Sequence, residues 1–97
     1  MRFEFDAKKD RANSKKHGLS LRFAEQLDWN AMVTRIDDAR GEERWFGIGP
    51  AAGRLYSVAF TVRDEHENDE PVEVVRPISL RRATKAEEKR YEEESHD

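Results

Sequence analysis

The chain has 97 residues, a net charge of −3, 36% hydrophobic and 40% charged residues, and no cysteine. That length predicts one domain over 1–97, the missing cysteines exclude disulfides and thiolate metal sites, and no run approaches the roughly 20 apolar residues of a membrane span. The N-terminus, Met1-Arg2-Phe3-Glu4-Phe5-Asp6, lacks the apolar core of a signal peptide, so a cytoplasmic protein is expected.

In chain order, Phe3-Glu4-Phe5 alternates and reads as a short edge strand. Asp6 then offers an N-cap for a very polar helix over 7–17, in which only Ala7 and Ala12 are apolar. Gly18 sits where a helix-ending glycine belongs, with Lys16 and His17 favouring the negative helix end. Lys9, Asn13 and His17 recur every fourth residue and form one stripe, either a solvated face or a face turned to phosphate. Ser20 caps a second helix over 21–28, with Leu21, Phe23, Ala24 and Leu27 as its core side.

A meander follows. Ala31–Ile36 and Glu43–Gly49 read as strands flanking a polar turn over Asp37–Glu42, and Pro50–Gly53 as a hairpin connection. Arg54–Arg63 is the clearest strand, with Tyr56, Val58, Phe60 and Val62 alternating against Ser57, Ala59 and Thr61. Asp64–Pro71 reads as an acidic loop and Val72–Ile78 as the fourth strand, with Pro77 confined to an edge or a bulge. A basic corner with three arginines, Arg76, Arg81 and Arg82, leads to Thr84, which forms a capping box with Glu87 and starts a helix over 84–93, before a frayed tail at 94–97. The order predicts α+β: a four-stranded antiparallel sheet, with a short N-terminal edge strand as an optional fifth, and helices on one face, two N-terminal and one C-terminal.

The acidic balance is unevenly spread. Residues 1–63 carry 12 basic and 9 acidic side chains, a net of +3, and residues 64–97 carry 6 basic and 12 acidic, a net of −6. Most of the acid lies in the 64–70 segment and the tail, which leaves room for a basic face elsewhere. His17, His66 and His96 share no ligand spacing, so no metal or cofactor is expected, and the Gly47-Ile48-Gly49 segment does not open a helix as a phosphate cradle would.

What remains is a scattered set of cations, acids and aromatics: Lys9, His17, Glu43, Arg44, Arg63, Arg76, Arg81, Glu87 and Tyr91. Metal-free RNA cleavage draws on such groups. A base takes the 2′-hydroxyl proton, cations stabilise the charge on phosphorus-bound oxygens, and an acid protonates the leaving 5′-oxygen. Glu87, His17 and Lys9 are candidate bases and the arginines candidate phosphate partners. Lys16, Trp45, Arg63 and Arg82 are candidate RNA contacts, although a strand tryptophan such as Trp45 is more often core. The same cluster also reads as a surface ion-pair network.

Three stretches, in order, resemble the BrnT toxins: Phe3-Glu4-Phe5-Asp6 with Lys9, Asn13 and Lys16-His17-Gly18-Leu19-Ser20; Gly41-Glu42-Glu43-Arg44-Trp45 with Ile48-Gly49; and Arg76 with Ile78-Ser79, Arg81-Arg82-Ala83-Thr84, Glu87 and Tyr91. The chain departs from that pattern at Phe5, where a tryptophan is usual, at Pro77, where an apolar β-former is usual, and in a longer Asp64–Pro71 loop. The resemblance implies a ribonuclease of a type II toxin–antitoxin system with a RelE-like fold. It also implies a BrnA-like ribbon-helix-helix antitoxin that neutralises the toxin in a hetero-oligomer, whose complex represses its own operon through operator DNA. Carried onto this chain, the functional positions are Lys9, His17, Arg44, Arg76, Arg81, Glu87 and Tyr91. Two other readings stand beside it: an antitoxin-binding module that acts in autoregulation without cleaving RNA, and an interaction domain unrelated to nucleic acid.

Overall fold

The computed structural model describes residues 1–37 and 43–95. The polar turn expected over Asp37–Glu42, apart from Asp37 itself, and the last two residues of the tail lie outside the described residues.

Two hairpins built on left-handed turn residues set the sheet. Strands β2 (Val33–Asp37), β3 (Arg44–Ala51), β4 (Arg54–Glu67) and β5 (Glu70–Arg82) form the antiparallel meander. The β3–β4 connection is only two residues, Ala52 and Gly53, with φ of 50° and 77°, so Pro50 and Ala51 belong to the strand. The β4–β5 connection is also two residues, Asn68 and Asp69, with φ of 52° and 65°. Such turns match the twist of the strands they join. The segment expected as an acidic loop, Asp64–Pro71, is therefore the paired end of a long hairpin, and Asn-Asp in place of Asn-Gly hid the turn.

The sheet has five strands in the order β1-β5-β4-β3-β2, and β1 (Arg2–Phe3) joins parallel to β5. The purely antiparallel four-stranded sheet is thus corrected to a mixed five-stranded one. The optional N-terminal strand is real because the outer edge of β5 at Val74 and Val75 is open to receive it.

Helix α1 (Ala7–His17) starts where Asp6 accepts the Lys9 N–H at 3.0 Å and ends at Gly18, whose φ is 71°. With almost no apolar face, it is fastened by polar anchors. The Asp10 carboxylate accepts Ser20 Oγ and the Leu21 N–H at 2.9 and 2.7 Å. The Asn13 amide donates to the carbonyls of Leu19 and Leu80 and accepts the Leu80 N–H, all at 2.9 Å. Asn13 thereby completes the backbone pairing of β5 where, among the described residues, no strand lies on that side.

The helix expected over 21–28 is a 3₁₀ helix, Leu21–Gln26, followed by a short second one, Trp29–Ala31. Leu21, Ala24 and Leu27 repeat every third residue, the period of a 3₁₀ helix, and all three are buried. They pack with Tyr56, Val58, Phe60, Val75 and Leu80. Trp29 closes this core edge-on to Phe60 at 5.0 Å, while its indole N–H donates to the Ala24 carbonyl.

Cross-strand partners share a sheet face, so the register places each residue. Tyr56, Val58 and Phe60 face the 3₁₀ helices, as do their partners Gly49, Gly47 and Trp45. Ser57 faces the other way, and its hydroxyl reaches Glu87 of α2 (Lys85–Glu94). The helices therefore cover both faces rather than one: the 3₁₀ helices lie on the inner face, α2 on part of the outer face, and α1 along the β5 edge. Among the described helices none is long and apolar enough to cross a membrane.

Candidate functional site

A single extra residue in β5 decides which arginines meet. The β4–β5 register shifts between Ala59 and Phe60: Phe60 pairs with Pro77 and Ala59 with Ser79, which leaves Ile78 as a bulge. Without it, Arg76 and Arg81, five apart, would point to opposite faces. With it, Arg76 pairs with Thr61, Ser79 with Ala59 and Arg81 with Ser57, and all three lie on the outer face. Pro77 sits at the bulge, as its missing N–H requires.

Arg44 precedes inward-facing Trp45, so alternation sends it to the same outer face. Arg44 and Arg76 thus lie two strand spacings apart, about 10 Å, and the row of Arg81 lies about 13 Å further along β4. Between these rows the floor is Phe46, Ala59 and Ser79. Along the β5 rim, Lys9, Ala12, Asn13, Lys16 and His17 of α1 form an open cleft with Ile78 and Ser79. The α1 stripe therefore borders the strand that carries Arg76 and Arg81, with Ser79 common to the α1 cleft and the outer face.

The Arg81–Glu87 pair is the most constrained part of this surface. Arg81 Nη1 and Nη2 donate to Glu87 Oε1 and Oε2 at 2.7 and 2.9 Å, and Nη1 also reaches the Arg82 carbonyl at 3.2 Å. Glu87 Oε1 accepts two more donors, Ser57 Oγ at 2.8 Å and the Thr84 N–H at 2.9 Å. The last is half of the capping box, which Glu87 N–H to Thr84 Oγ1 completes. The Arg81 guanidinium first, with the Thr84 N–H and the Ser57 hydroxyl, holds the Glu87 carboxyl down at about 2 against partial burial. Glu87 in turn raises Arg81.

The other candidates separate from this surface. Tyr91 shares the helix but donates its hydroxyl to the Ala31 carbonyl at 2.9 Å, anchoring α2 to the end of the second 3₁₀ helix. Trp45 and Arg82 lie on the inner face by register, and Trp45 packs against the core beside an apolar hollow with Met1 and Trp29. Arg63 lies on the outer face but is gripped by carboxylates, with Nη1 and Nη2 on Glu4 and Nε on Glu65. Glu43 is exposed just before β3. Arg76 Nη2 donates to Asp6 at 3.1 Å, and among the described residues its buried Nε has no partner. Among those residues no group of His, Asp and Glu is arranged to hold a metal.

Sequence reasoning missed three residues of this region. In the sequence Ser57 is only the polar half of an alternating strand, and nothing local marks its bond to Glu87. Asp10 and Asn13 were readable as polar helix residues but not as anchors, because their partners lie across the fold.

A family model described as the ribonuclease toxin BrnT of a type II toxin–antitoxin system matches residues 5–87. No curated protein matches the chain closely enough to add to this. The match takes in α1, the whole sheet from β2 to β5, and α2 as far as Glu87, so it covers the bulge, the α1 stripe and the Arg81–Glu87 pair together. The chain belongs to the BrnT family of ribonuclease toxins of type II toxin–antitoxin systems.

Proposed function

We propose that the outer face of the sheet cleaves RNA by attack of a 2′-hydroxyl on the adjacent phosphodiester, without metal, leaving a 2′,3′-cyclic phosphate. The observation that carries this reading is the bulge at Ile78, which gathers Arg76 and Arg81 on one face beside the Lys9–His17 stripe. Arg44, Arg76 and Arg81 stabilise the charge that builds on the phosphate oxygens. Histidine is the residue type suited to proton exchange near neutral pH, so His17 is the base and the Lys9 ammonium the acid. Lys16 beside them supports backbone phosphates. Glu87 leaves the list of bases, since a carboxylate held near 2 is a weak proton acceptor at neutral pH.

The partner is a BrnA-like ribbon-helix-helix antitoxin, which covers this face in a cytoplasmic hetero-oligomer and carries the complex to operator DNA for autorepression. The test is cleavage of single-stranded RNA by antitoxin-free protein in EDTA, with Arg81→Ala as control. Cyclic-phosphate ends from the wild type alone support the reading. EDTA-sensitive cleavage giving 5′-phosphate ends overturns the mechanism. A folded, non-toxic wild type that still binds its antitoxin supports the alternative, a module acting only in autoregulation.

A further inference from the structure

The Arg81 guanidinium has five N–H donors in a rigid plane. Three are committed: one on each of Nη1 and Nη2 to the two oxygens of Glu87, and the second on Nη1 to the Arg82 carbonyl. The two that remain, Nε–H and the outer Nη2–H, lie parallel along one edge and have no protein partner among the described residues. Two parallel donors on one planar edge match two oxygens of a phosphodiester.

We infer that this edge is the phosphodiester-binding fork of the face, and that Glu87 and Ser57 are positioning residues that fix its direction. The inference rests on the ribonuclease reading above and assigns a task to the Arg81–Glu87 pair within it. Glu87 accepts four hydrogen bonds, from Arg81 twice, Ser57 and Thr84, so its carboxylate plane is fixed. Ser57 is 2% exposed and sits in the middle of β4, a rigid backing. The carboxylate also cancels the Arg81 charge at a distance. Arg81 therefore contributes direction more than attraction, and the long-range pull on RNA falls to Lys9 and Lys16 along the α1 rim.

This arrangement differs from a base role for Glu87 in what its loss does. As positioning residues, Glu87 and Ser57 set kcat through the orientation of Arg81 and leave the protons of the reaction to other groups. Glu87→Gln is expected to lower kcat about tenfold to a hundredfold with KM changed less than about threefold, and with both limbs of the pH–rate profile kept. Ser57→Ala is expected to lower kcat about threefold to tenfold, with Ser57→Thr restoring most of it. Arg81→Lys keeps the charge but not the fork and should fall as far as Arg81→Ala.

The closing experiment follows the Arg81 Nε–H signal by NMR, assigned with Arg81→Lys. The wild type is titrated with an oligonucleotide made uncleavable by a 2′-deoxy sugar at the scissile position. The Arg81 signal is expected to shift with binding, and to be broadened or absent in free Glu87→Gln while that variant still melts cooperatively. An unmoved Arg81 signal while other arginine signals shift overturns the inference, as does a Glu87→Gln rate within twofold of wild type. Loss of one pH limb in Glu87→Gln overturns it in favour of Glu87 as base. A wild type that neither binds nor cleaves the RNA overturns the ribonuclease reading itself.

Discussion

Removing the Asn13 side chain tests how much of the hold on α1 comes from its Asn13 anchor. Asn13 is 5% exposed and makes three hydrogen bonds of 2.9 Å, two to the backbone of Leu80 and one to the Leu19 carbonyl. Leu80 is fully buried. In Asn13→Ala its N–H and C=O lose their partner where water enters poorly, and a buried unsatisfied group costs about 1–3 kcal/mol. The Leu19 carbonyl is only partly buried and still has a 3.3 Å bond from Ser14, so it adds little. The two Leu80 groups together cost about 2–6 kcal/mol, and at roughly 4–8 °C per kcal/mol for a domain of this size Tm falls by at least about 8 °C. Calorimetry measures the fall in Tm. Amide exchange locates the loss: the Leu80 N–H loses protection out of proportion to its neighbours. A Tm drop under about 4 °C, with Leu80 protection intact, refutes the reasoning and returns Asn13 to the solvated stripe.

Four further outcomes follow. The Glu87 carboxyl is depressed from 4.5 to about 2 when folded, so its contribution to stability is present above 4.5 and lost as pH falls from there through 2; after discounting for solvent it is about 1–2 kcal/mol, and acid titration of Glu87→Gln should lack it. Ala52 holds φ at 50°, a strained angle for alanine, so Ala52→Asn should gain about 0.5–1 kcal/mol in denaturant melts. A Cβ on Gly47 would lie 3.0 Å from Met32 Cγ and 3.4 Å from Phe60 Cε1, so Gly47→Ala should cost about 1–3 kcal/mol; pairing it with Met32→Ala should recover about 1 kcal/mol of the summed loss in a double-mutant cycle. Combining Glu67→Gln, Asp69→Asn and Glu70→Gln should leave RNA cleavage within about twofold at 0.15 M salt while increasing aggregation on heating, read by light scattering.

Elements whose signals are local were legible in the sequence. The Asp6 and Thr84 caps, the Gly18 stop and the β4 alternation each depend on residues within four positions, and each stands as expected. What was missed depends on register. The bulge is one residue, and whether Arg76 joins Arg81 or faces away turns on it. The same parity sends Arg82 to the inner face, which no composition or spacing could show, and puts Trp45 against the core, the commoner place for a strand tryptophan. The side of the sheet that α2 covers is likewise set by Ser57, a residue with no local distinction. The 3₁₀ helices were legible in principle, since Leu21, Ala24 and Leu27 keep a period of three, but Phe23 between them mimics an α-helical face.

The acidic balance of the chain and a phosphate-binding face are compatible because the structure separates them. Asp64, Glu65, Glu67, Asp69, Glu70 and Glu73 lie on the β4–β5 arm. From Ser57, beside Arg81, to Glu67 is ten residues of strand, about 33 Å, or about four Debye lengths at physiological salt. Along the arm Glu65 is bound to Arg63 and Arg2 and Glu67 to Arg2, while Asp64 and Glu73, about 10 Å along the strands from Thr61 and Arg76, lie on the inner face by register. The arm's acidity also works against its own pairing. Asp64 stands opposite Glu73 and Glu67 opposite Glu70, like charges in direct register. A strand that pairs at such a cost has charge for another reason. From Val62 outward, β4 has no strand on its β3 side among the described residues, so its backbone donors and acceptors form an open edge. Charged side chains along such an edge keep a second chain from adding to the sheet. The acids then protect the arm from association, and their distance from Arg81 leaves the basic face free to meet RNA.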